Sequence, residues 1–255
     1  MMMEFASLRL AVGTLTIIPS GRLPEIERPV AARAMIIAPV AVLPLACAAG
    51  AVGWLADLGH LPRLAVGLMV VAALALGTRA MHLDGLADTV DGLGSGWDRA
   101  RSLAIMARGD VGPMGVVALV IMLGLQAAGL GEVVTDLRGA LFAGLIICLS
   151  RAALVLVCVR GVSPARTQGL GAAVAGSVPV ATAIIAWLVV LMIIGLGGSL
   201  LGFSAVRPVI SAAVAALVVL GLVRHCVRRL GGVTGDVMGA AIELAFTIMI
   251  IGAAS

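Results

Sequence analysis

Apolar runs long enough to cross a lipid bilayer recur along the whole sequence, and they limit the fold more than any other feature. A transmembrane helix needs roughly 20 predominantly apolar residues. Seven runs of about that length are residues 34–55, 64–81, 111–130, 139–159, 180–201, 209–223 and 237–253. Because a bilayer offers no partners to free backbone N–H and C=O groups, each run is expected to be a helix.

The composition agrees with a chain that is surrounded by lipid. Of its 255 residues, 62% are hydrophobic and only 12% are charged, whereas an ordinary soluble domain is about 25% charged. We therefore predict an all-α fold, a polytopic transmembrane helix bundle of about seven spans that forms a single integral membrane domain over residues 1–255. The apolar segment 5–18 is shorter and contains Arg9, so we expect an N-terminal interfacial or re-entrant helix there.

Arginine is distributed unevenly between the loops that join these spans. Segments with two or more arginines alternate with loops that carry one, and the arginine-rich segments are 22–33, 82–110, 160–178 and 224–236. Basic residues are enriched in cytoplasmic loops. We therefore expect a multi-pass protein of the cell inner membrane, with the N-terminus and a catalytic loop at 82–110 in the cytoplasm.

The charge and cysteine patterns limit the partners. The net charge of +4 comes without a basic run interleaved with aromatic residues, so no nucleic acid partner is predicted. The four cysteines lack CxxC spacing and are interpreted as packing residues, not as metal ligands or disulfides. The lipid bilayer is the expected partner, and association into a homo-oligomer is left open.

Three aspartates in the segment 82–110 carry the strongest chemical signal. Asp84, Asp88 and Asp91 are spaced i, i+4 and i+7, which confines them to an arc of about 60° on a helix. Like charges this close destabilise a helix, so a cation is expected to offset them. Oxygen ligands favour Mg²⁺, which commonly uses one or two carboxylates and substrate phosphates. The pattern predicts a magnesium and diphosphate site; the alternative is a solvated polar helix end with Asp-Gly turns.

Further candidate substrate-binding residues flank the three aspartates. Arg108 and Asp110 lie where the third span begins, and a helix N-terminus favours an anion. Arg108 is expected to bind phosphate, while Asp110 either joins the metal site or caps the helix. Arg79 and His82 precede the aspartates and are also assigned to substrate binding. His82 is not interpreted as a base, because it points away from the carboxylate face.

Two charged residues lie within predicted spans. Arg151 is inside the fourth span and Glu243 is two turns into the seventh. Ionisable residues inside a membrane are costly and imply a polar partner or cavity. Asp236 precedes Glu243 by seven residues and shares its helix face; it is interpreted either as substrate-binding or as an N-cap.

Three sequence motifs together resemble one enzyme family. They are HLDGLADTVDGL (82–93), IMARGDVGPMG (105–115) and GGVTGDVMGAAIEL (231–244), with LTIIP (15–19) near the start. The chain resembles the cobalamin synthases, also called adenosylcobinamide-GDP ribazoletransferases. The resemblance implies an Mg²⁺-dependent membrane phosphotransferase. It would transfer the adenosylcobinamide phosphate group from adenosylcobinamide-GDP to α-ribazole or α-ribazole 5′-phosphate and release GMP, late in cobalamin biosynthesis.

The resemblance also implies roles for individual residues. Asp84, Asp88 and Asp91 correspond to metal and diphosphate ligands, and Asp236 and Glu243 to acids of a second site. Catalysis further needs a carboxylate that binds no metal and accepts the proton of the attacking hydroxyl. Asp91 or Asp110 is predicted for this role. Many members have Lys-Asp-Ser-Arg where this chain has Ala-Arg-Gly-Asp at 107–110, so acid and base exchange their order there.

Two other functions share some of these features. A CDP-alcohol phosphotransferase of phospholipid synthesis also has an aspartate cluster, and DTVDG at 88–92 begins its pattern, but Ser95 and Gly96 stand where Ala-Arg is expected. A cation transporter would use acidic residues near the middle of the bilayer. Only Arg151 and Glu243 are predicted at that depth, so this function is disfavoured.

Overall fold

The computed structural model describes residues 2–21 and 27–255, and within them the protein consists of helices without a β-sheet. The described helices are α1 (Met2–Leu15), α2 (Arg28–Ile36), α3 (Ala38–Ala41), α4 (Leu43–Leu58), α5 (Arg63–Gly77), α6 (Met81–Gly94), α7 (Arg99–Ile105), α8 (Pro113–Val133), α9 (Leu137–Ser150), α10 (Ala153–Val157), α11 (Leu170–Val174), α12 (Val180–Leu201), α13 (Val206–Leu230) and α14 (Gly235–Ala254). The all-α prediction is confirmed.

Within the described residues, five apolar stretches are long enough to cross a membrane, which agrees with a multi-pass protein. They are α8, the pair α9 and α10 taken together (Leu137–Val157), α12, α13 and α14. The number rises to six if α5 and α6 form one broken span. The predicted number of seven is not confirmed. The apolar run at 34–55 is divided among α2, α3 and α4, because Pro39 and Pro44 each lie in the first turn of a new helix.

The predicted span 64–81 ends early, at Gly77. Arg79 and Ala80 both adopt left-handed backbone conformations, with φ of 56° and 55°. Residues other than glycine rarely adopt this conformation. The chain turns by 91° between α5 and α6 as a result. Most of the segment predicted as a hydrophilic loop at 82–110 is therefore helical, and its first half, α6, packs inside the bundle.

Helix α14 forms the centre of the bundle and contacts α6, α8, α9, α10 and α13. Its crossing with α6 is close because both helices have glycine there. A Cβ atom at Gly85 would lie 2.7 Å from the Asp236 carbonyl oxygen, and one at Gly239 would lie 3.0 Å from the Cα of His82. Small residues allow helix backbones in membranes to approach in this way. The crossing brings the aspartates of α6 beside the start of α14.

The N-terminal segment packs beside these elements. Helix α1 contacts α2 and α3, and the amide of Ile17 donates to the Gly77 carbonyl across 2.7 Å. The LTIIP motif is thereby attached to the end of α5, just before the bend. Whether α1 lies in the membrane interface stays a prediction. Arg22, at the start of the first arginine-rich segment, lies outside the described residues.

Candidate active site

Three carboxylates from two distant motifs lie within electrostatic range of one another where α6 crosses α14. Asp84 and Asp88 occupy successive turns of α6, and Asp236 lies in the first turn of α14. The side chain of Asp88 interacts electrostatically with both other carboxylates and with the guanidinium of Arg166. We call Asp84, Asp88 and Asp236 the acidic cluster. Like charges brought this close favour the binding of a cation.

Asp84 and Asp236 of the acidic cluster line a cavity of about 340 Å³, whereas Asp88 does not. We call it the main cavity for this position, since two cavities elsewhere are larger, at about 590 and 620 Å³. Its polar lining side chains are Thr14, His82, Asp84, Arg166, Gln168, Thr234 and Asp236, and its apolar ones include Leu15, Met35, Met81, Leu154, Leu170, Val233, Met238 and Ile242. The walls come from α1, α2, α6, α10, α11 and α14, and from the loops before α11 and α14. A concave site that combines apolar walls with a few convergent charged groups is typical of ligand-binding pockets.

Arg166 is the positive charge at this cavity. Its Nη1 atom lies 3.6 Å from Oδ2 of Asp236, and its Nη2 atom donates to the Leu103 carbonyl across 3.0 Å. The side chain is only partly buried, so its guanidinium remains accessible to a ligand. Arginine binds phosphate oxygens through two parallel N–H groups. From the sequence alone, Arg166 contributes only to the arginine-rich segment 160–178 that predicts membrane orientation; the glycines at 169 and 171 are the available signal for a ligand-binding loop.

Two further arginines fix the loop between α6 and α8. Arg99 donates from Nε to the Leu230 carbonyl across 2.7 Å. Arg229 is buried, donates to the carbonyls of Leu93 and Gly96, and lies 4.2 Å above the ring of Trp97. These contacts attach the loop to the end of α13, which borders the Arg166 loop. Sequence patterns alone did not single out either arginine.

Asp91 has a different position from the other two aspartates of α6. Its Oδ2 atom accepts from the Gly112 amide across 2.7 Å, and its Oδ1 atom accepts from the Gly115 amide across 2.8 Å. Gly112 is the N-cap residue just before α8 and Gly115 lies in the first turn of α8, where backbone amides have no partner within the helix. Asp91 therefore caps α8 from another helix, a role that the sequence did not suggest. Its predicted role as a metal ligand stays a prediction.

Three predicted substrate-binding or catalytic residues lie away from the main cavity. Arg108 and Asp110 are exposed in the turn between α7 and α8. Arg79 is exposed at the bend and donates to the Gly13 carbonyl across 3.3 Å. None of the three belongs to the described lining of the cavity. The contact of Arg79 supports the LTIIP segment beside the bend.

A second polar group is buried within the bundle. Oε2 of Glu243 accepts from Nε2 of Gln126 across 2.7 Å, and that amide also donates to Thr247 across 3.0 Å. Arg151, 2% exposed at the break between α9 and α10, interacts electrostatically with Glu243. His82 Nδ1 lies 3.9 Å from Oε1 of Glu243. Glu243 and Arg151 thus offset each other's charge inside the protein.

The donor set of the acidic cluster fits magnesium when a phosphate completes it. In the described part of the chain, no three His, Cys, Asp or Glu side chains converge closely enough to hold a metal ion by themselves. Mg²⁺ is usually bound by one or two carboxylates together with substrate phosphates and water. Asp84 and Asp88 supply carboxylate oxygens of that kind next to a cavity.

Comparison with known proteins tests the resemblance noted from the motifs. The family model described as Cobalamin-5-phosphate synthase matches residues 7–254. A Nocardioides protein named adenosylcobinamide-GDP ribazoletransferase is 49% identical over 95% of this chain and 96% of its own length. A protein of the same name from Frankia casuarinae is 36% identical over 92% of this chain and 90% of its own length. Another from Bradyrhizobium diazoefficiens is 35% identical over 98% of this chain and 94% of its own length. No solved structure matches. With its motifs, its apolar helices and an almost complete match along its length, the chain belongs to the cobalamin-5-phosphate synthase family.

Proposed function

We propose that the protein transfers the adenosylcobinamide phosphate group from adenosylcobinamide-GDP to α-ribazole or α-ribazole 5′-phosphate and releases GMP. This is the nucleotide-loop assembly step of cobalamin biosynthesis. The names of the relatives support the reaction. The observation that carries it is that Asp84, Asp236 and Arg166 line one cavity and that the buried Asp88 interacts electrostatically with all three. Neither the CDP-alcohol phosphotransferase nor the cation transporter gains support from the family match.

The acidic cluster and Arg166 would bind the diphosphate of the donor. Asp84 and Asp88 would hold Mg²⁺ together with phosphate oxygens, and this ion would offset the charge that develops on the diphosphate and on the departing GMP. The ion pair with Asp236 would orient the guanidinium of Arg166, and the accessible N–H groups of Arg166 would bind a phosphate oxygen. Positioning and electrostatic stabilisation supply most of the catalysis in phosphoryl transfer.

Asp236 is best placed to assist the attacking hydroxyl. In the proposed reaction the oxygen of a free ribose hydroxyl of the acceptor forms a bond to the corrinoid-side phosphorus, the bond from that phosphorus to the GMP oxygen breaks, and the hydroxyl proton passes to Asp236. Asp236 lies on the cavity wall. By contrast, both oxygens of Asp91 already accept backbone N–H groups, and Asp110 lies outside the cavity.

Release of GMP from adenosylcobinamide-GDP tests this function in purified protein with Mg²⁺. We expect GMP only when α-ribazole or its phosphate is present. Asp84→Asn and Asp236→Asn should each lower turnover at least about a hundredfold, whereas Asp57→Asn, outside the cavity, should match the unaltered protein. No acceptor-dependent GMP from the unaltered protein, or full activity in Asp84→Asn, would refute the proposal.

We further propose that the site faces the cytoplasm. The loops that build the cavity belong to the arginine-rich segments 160–178 and 224–236, which favour that side of the membrane. Nucleotides and Mg²⁺ are available there. Cysteine introduced at exposed Gln168 should react with a membrane-impermeant maleimide only in inside-out vesicles; reaction in intact spheroplasts would place the site on the other side.

A further inference from the structure

A second cavity, of about 620 Å³, lies where two arginine-rich segments meet; we call it the basic cavity. Its walls come from the start of α2, which supplies Arg28, and from the residues 160–164 and 175–177 at the two ends of the segment between α10 and α12. Arg160 is the first residue of that lining. The basic cavity shares no described lining residue with the main cavity. It is therefore a separate site.

The two arginines of the basic cavity carry positive charge that the described residues do not offset. Arg28 and Arg160 are exposed, and neither guanidinium has an ion pair or a hydrogen bond within the described part of the chain. Arg99 and Arg166, by contrast, donate to carbonyl oxygens of the protein. No acidic residue is among the described lining, and Glu27, next to Arg28 in the chain, lies outside it. Two unpaired guanidinium groups at one cavity favour an anion, and their planar forks suit phosphate oxygens.

Neutral donors accompany the two arginines. Gly161 and Ser163 are exposed and line the basic cavity. Within the described residues, their backbone amides donate to no acceptor, and the hydroxyl of Ser163 has no hydrogen-bond partner. These groups can donate to further oxygens of a phosphodiester or accept from hydroxyls attached to it.

The basic cavity lies at the ends of two apolar helices. The stretch Leu137–Val157 ends three residues before Arg160, and α12 begins three residues after Ser177. The Arg160 amide donates to the Val178 carbonyl across 2.7 Å, and the Val178 amide donates to the Cys158 carbonyl across 3.0 Å. The ends of both stretches are thereby held side by side. Because a span ends where the hydrocarbon ends, lipid headgroups lie at this level.

We propose that the basic cavity binds the headgroup of an anionic phospholipid, with its phosphate between Arg28 and Arg160. Basic pockets between transmembrane helices bind anionic headgroups in this way. A soluble phosphate shares the chemistry, and the position at the ends of the spans selects the lipid. Val180, Ile184 and Leu188 follow on one face of α12, each more than half exposed, and offer apolar surface to acyl chains. The inference does not depend on the reaction proposed above.

Native mass spectrometry of the full-length protein in a neutral detergent tests the site with phosphatidylglycerol, phosphatidylcholine and inorganic phosphate as probes. The unaltered protein should bind one phosphatidylglycerol at least about tenfold more tightly than phosphatidylcholine, because the choline group adds a positive charge. The double variant Arg28→Gln with Arg160→Gln should weaken the binding of phosphatidylglycerol roughly thirtyfold, about fivefold for each arginine near a membrane surface. Both side chains are exposed, so this variant should fold normally.

The matched control removes the same charge elsewhere on the surface. Arg33 and Arg228 are exposed in arginine-rich segments and do not line the basic cavity. Arg33→Gln with Arg228→Gln should keep the affinity for phosphatidylglycerol within about threefold. Equal weakening in both double variants would attribute binding to net charge and overturn the inference, as would equal affinity for the two lipids. Displacement of phosphatidylglycerol by an equal concentration of inorganic phosphate would assign the cavity to a soluble phosphate and also overturn it.

Discussion

Asp91→Asn separates a capping role of this residue from a role in metal binding. Asp91 accepts two backbone N–H groups at the start of α8, from the N-cap Gly112 and from Gly115, at 2.7 and 2.8 Å, and is 8% exposed. An asparagine has one carbonyl oxygen and one amide group in place of the two oxygens. Whichever way it turns, its NH₂ group faces a backbone donor, so one of the two hydrogen bonds is lost.

The expected loss of stability follows from these contacts. A hydrogen bond to a charged group contributes about 1.5–3 kcal/mol, and a negative charge at a helix N-terminus contributes about 0.3–1 kcal/mol. Because one bond and the charge are removed together, we expect Asp91→Asn to lower the free energy of unfolding by about 2–4 kcal/mol. Activity should fall only as far as α8 becomes misplaced.

Unfolding in mixed detergent micelles, followed by circular dichroism, measures this change. Asp84→Asn is the matched control: Asp84 is exposed and caps no helix in the described structure, so this variant should lose turnover but keep its stability. The capping argument is refuted if Asp91→Asn unfolds like the unaltered protein while its activation by Mg²⁺ shifts to higher concentrations. That result would restore Asp91 as a metal ligand.

Three further predictions follow from single contacts. Gly85→Ala should abolish most of the activity and lower thermal stability, because the new Cβ would lie 2.7 Å from a backbone oxygen of α14. The control is Gly124→Ala, whose new Cβ would meet no atom within 4 Å. Equal effects of the two substitutions would contradict the argument. Arg166→Lys should raise the KM for adenosylcobinamide-GDP about tenfold through loss of the planar fork, and an unchanged KM would exclude a phosphate contact. Glu243→Ala should lower the free energy of unfolding by about 1–3 kcal/mol, because the buried amide of Gln126 loses its acceptor and Arg151 loses a nearby opposite charge. Replacement of both Glu243 and Arg151 by leucine should recover part of that stability; no recovery would show that the two charges act independently.

The helix bend and the proline breaks explain why apolar length alone did not fix the number of spans. Hydropathy responds to the length of an apolar run and carries little information about where the chain turns. The left-handed residues Arg79 and Ala80 divide one apolar run, and Pro39 and Pro44 divide another. None of these breaks interrupts the apolar composition enough to appear in a window of about 20 residues.

Local sequence determined the environment, the class of fold and the family of this protein. Apolar length fixes the helical state, because backbone groups in lipid must bond within their own segment. The spacing of Asp84 and Asp88 on one helix face likewise needs only the helical repeat. The motifs at 82–93, 105–115 and 231–244 were sufficient to identify the family before any contact was known.

Only the tertiary structure decided which charged groups act together. Asp236 joins Asp84 because glycines let α6 and α14 approach, and Arg166 joins them from a loop that no local pattern connects to either helix. Asp91 shares a helix face with the other two aspartates and yet caps α8, because the start of that helix lies beside it. Contacts between residues far apart in the chain depend on how helices pack, and periodicity along one segment contains no information about its neighbours.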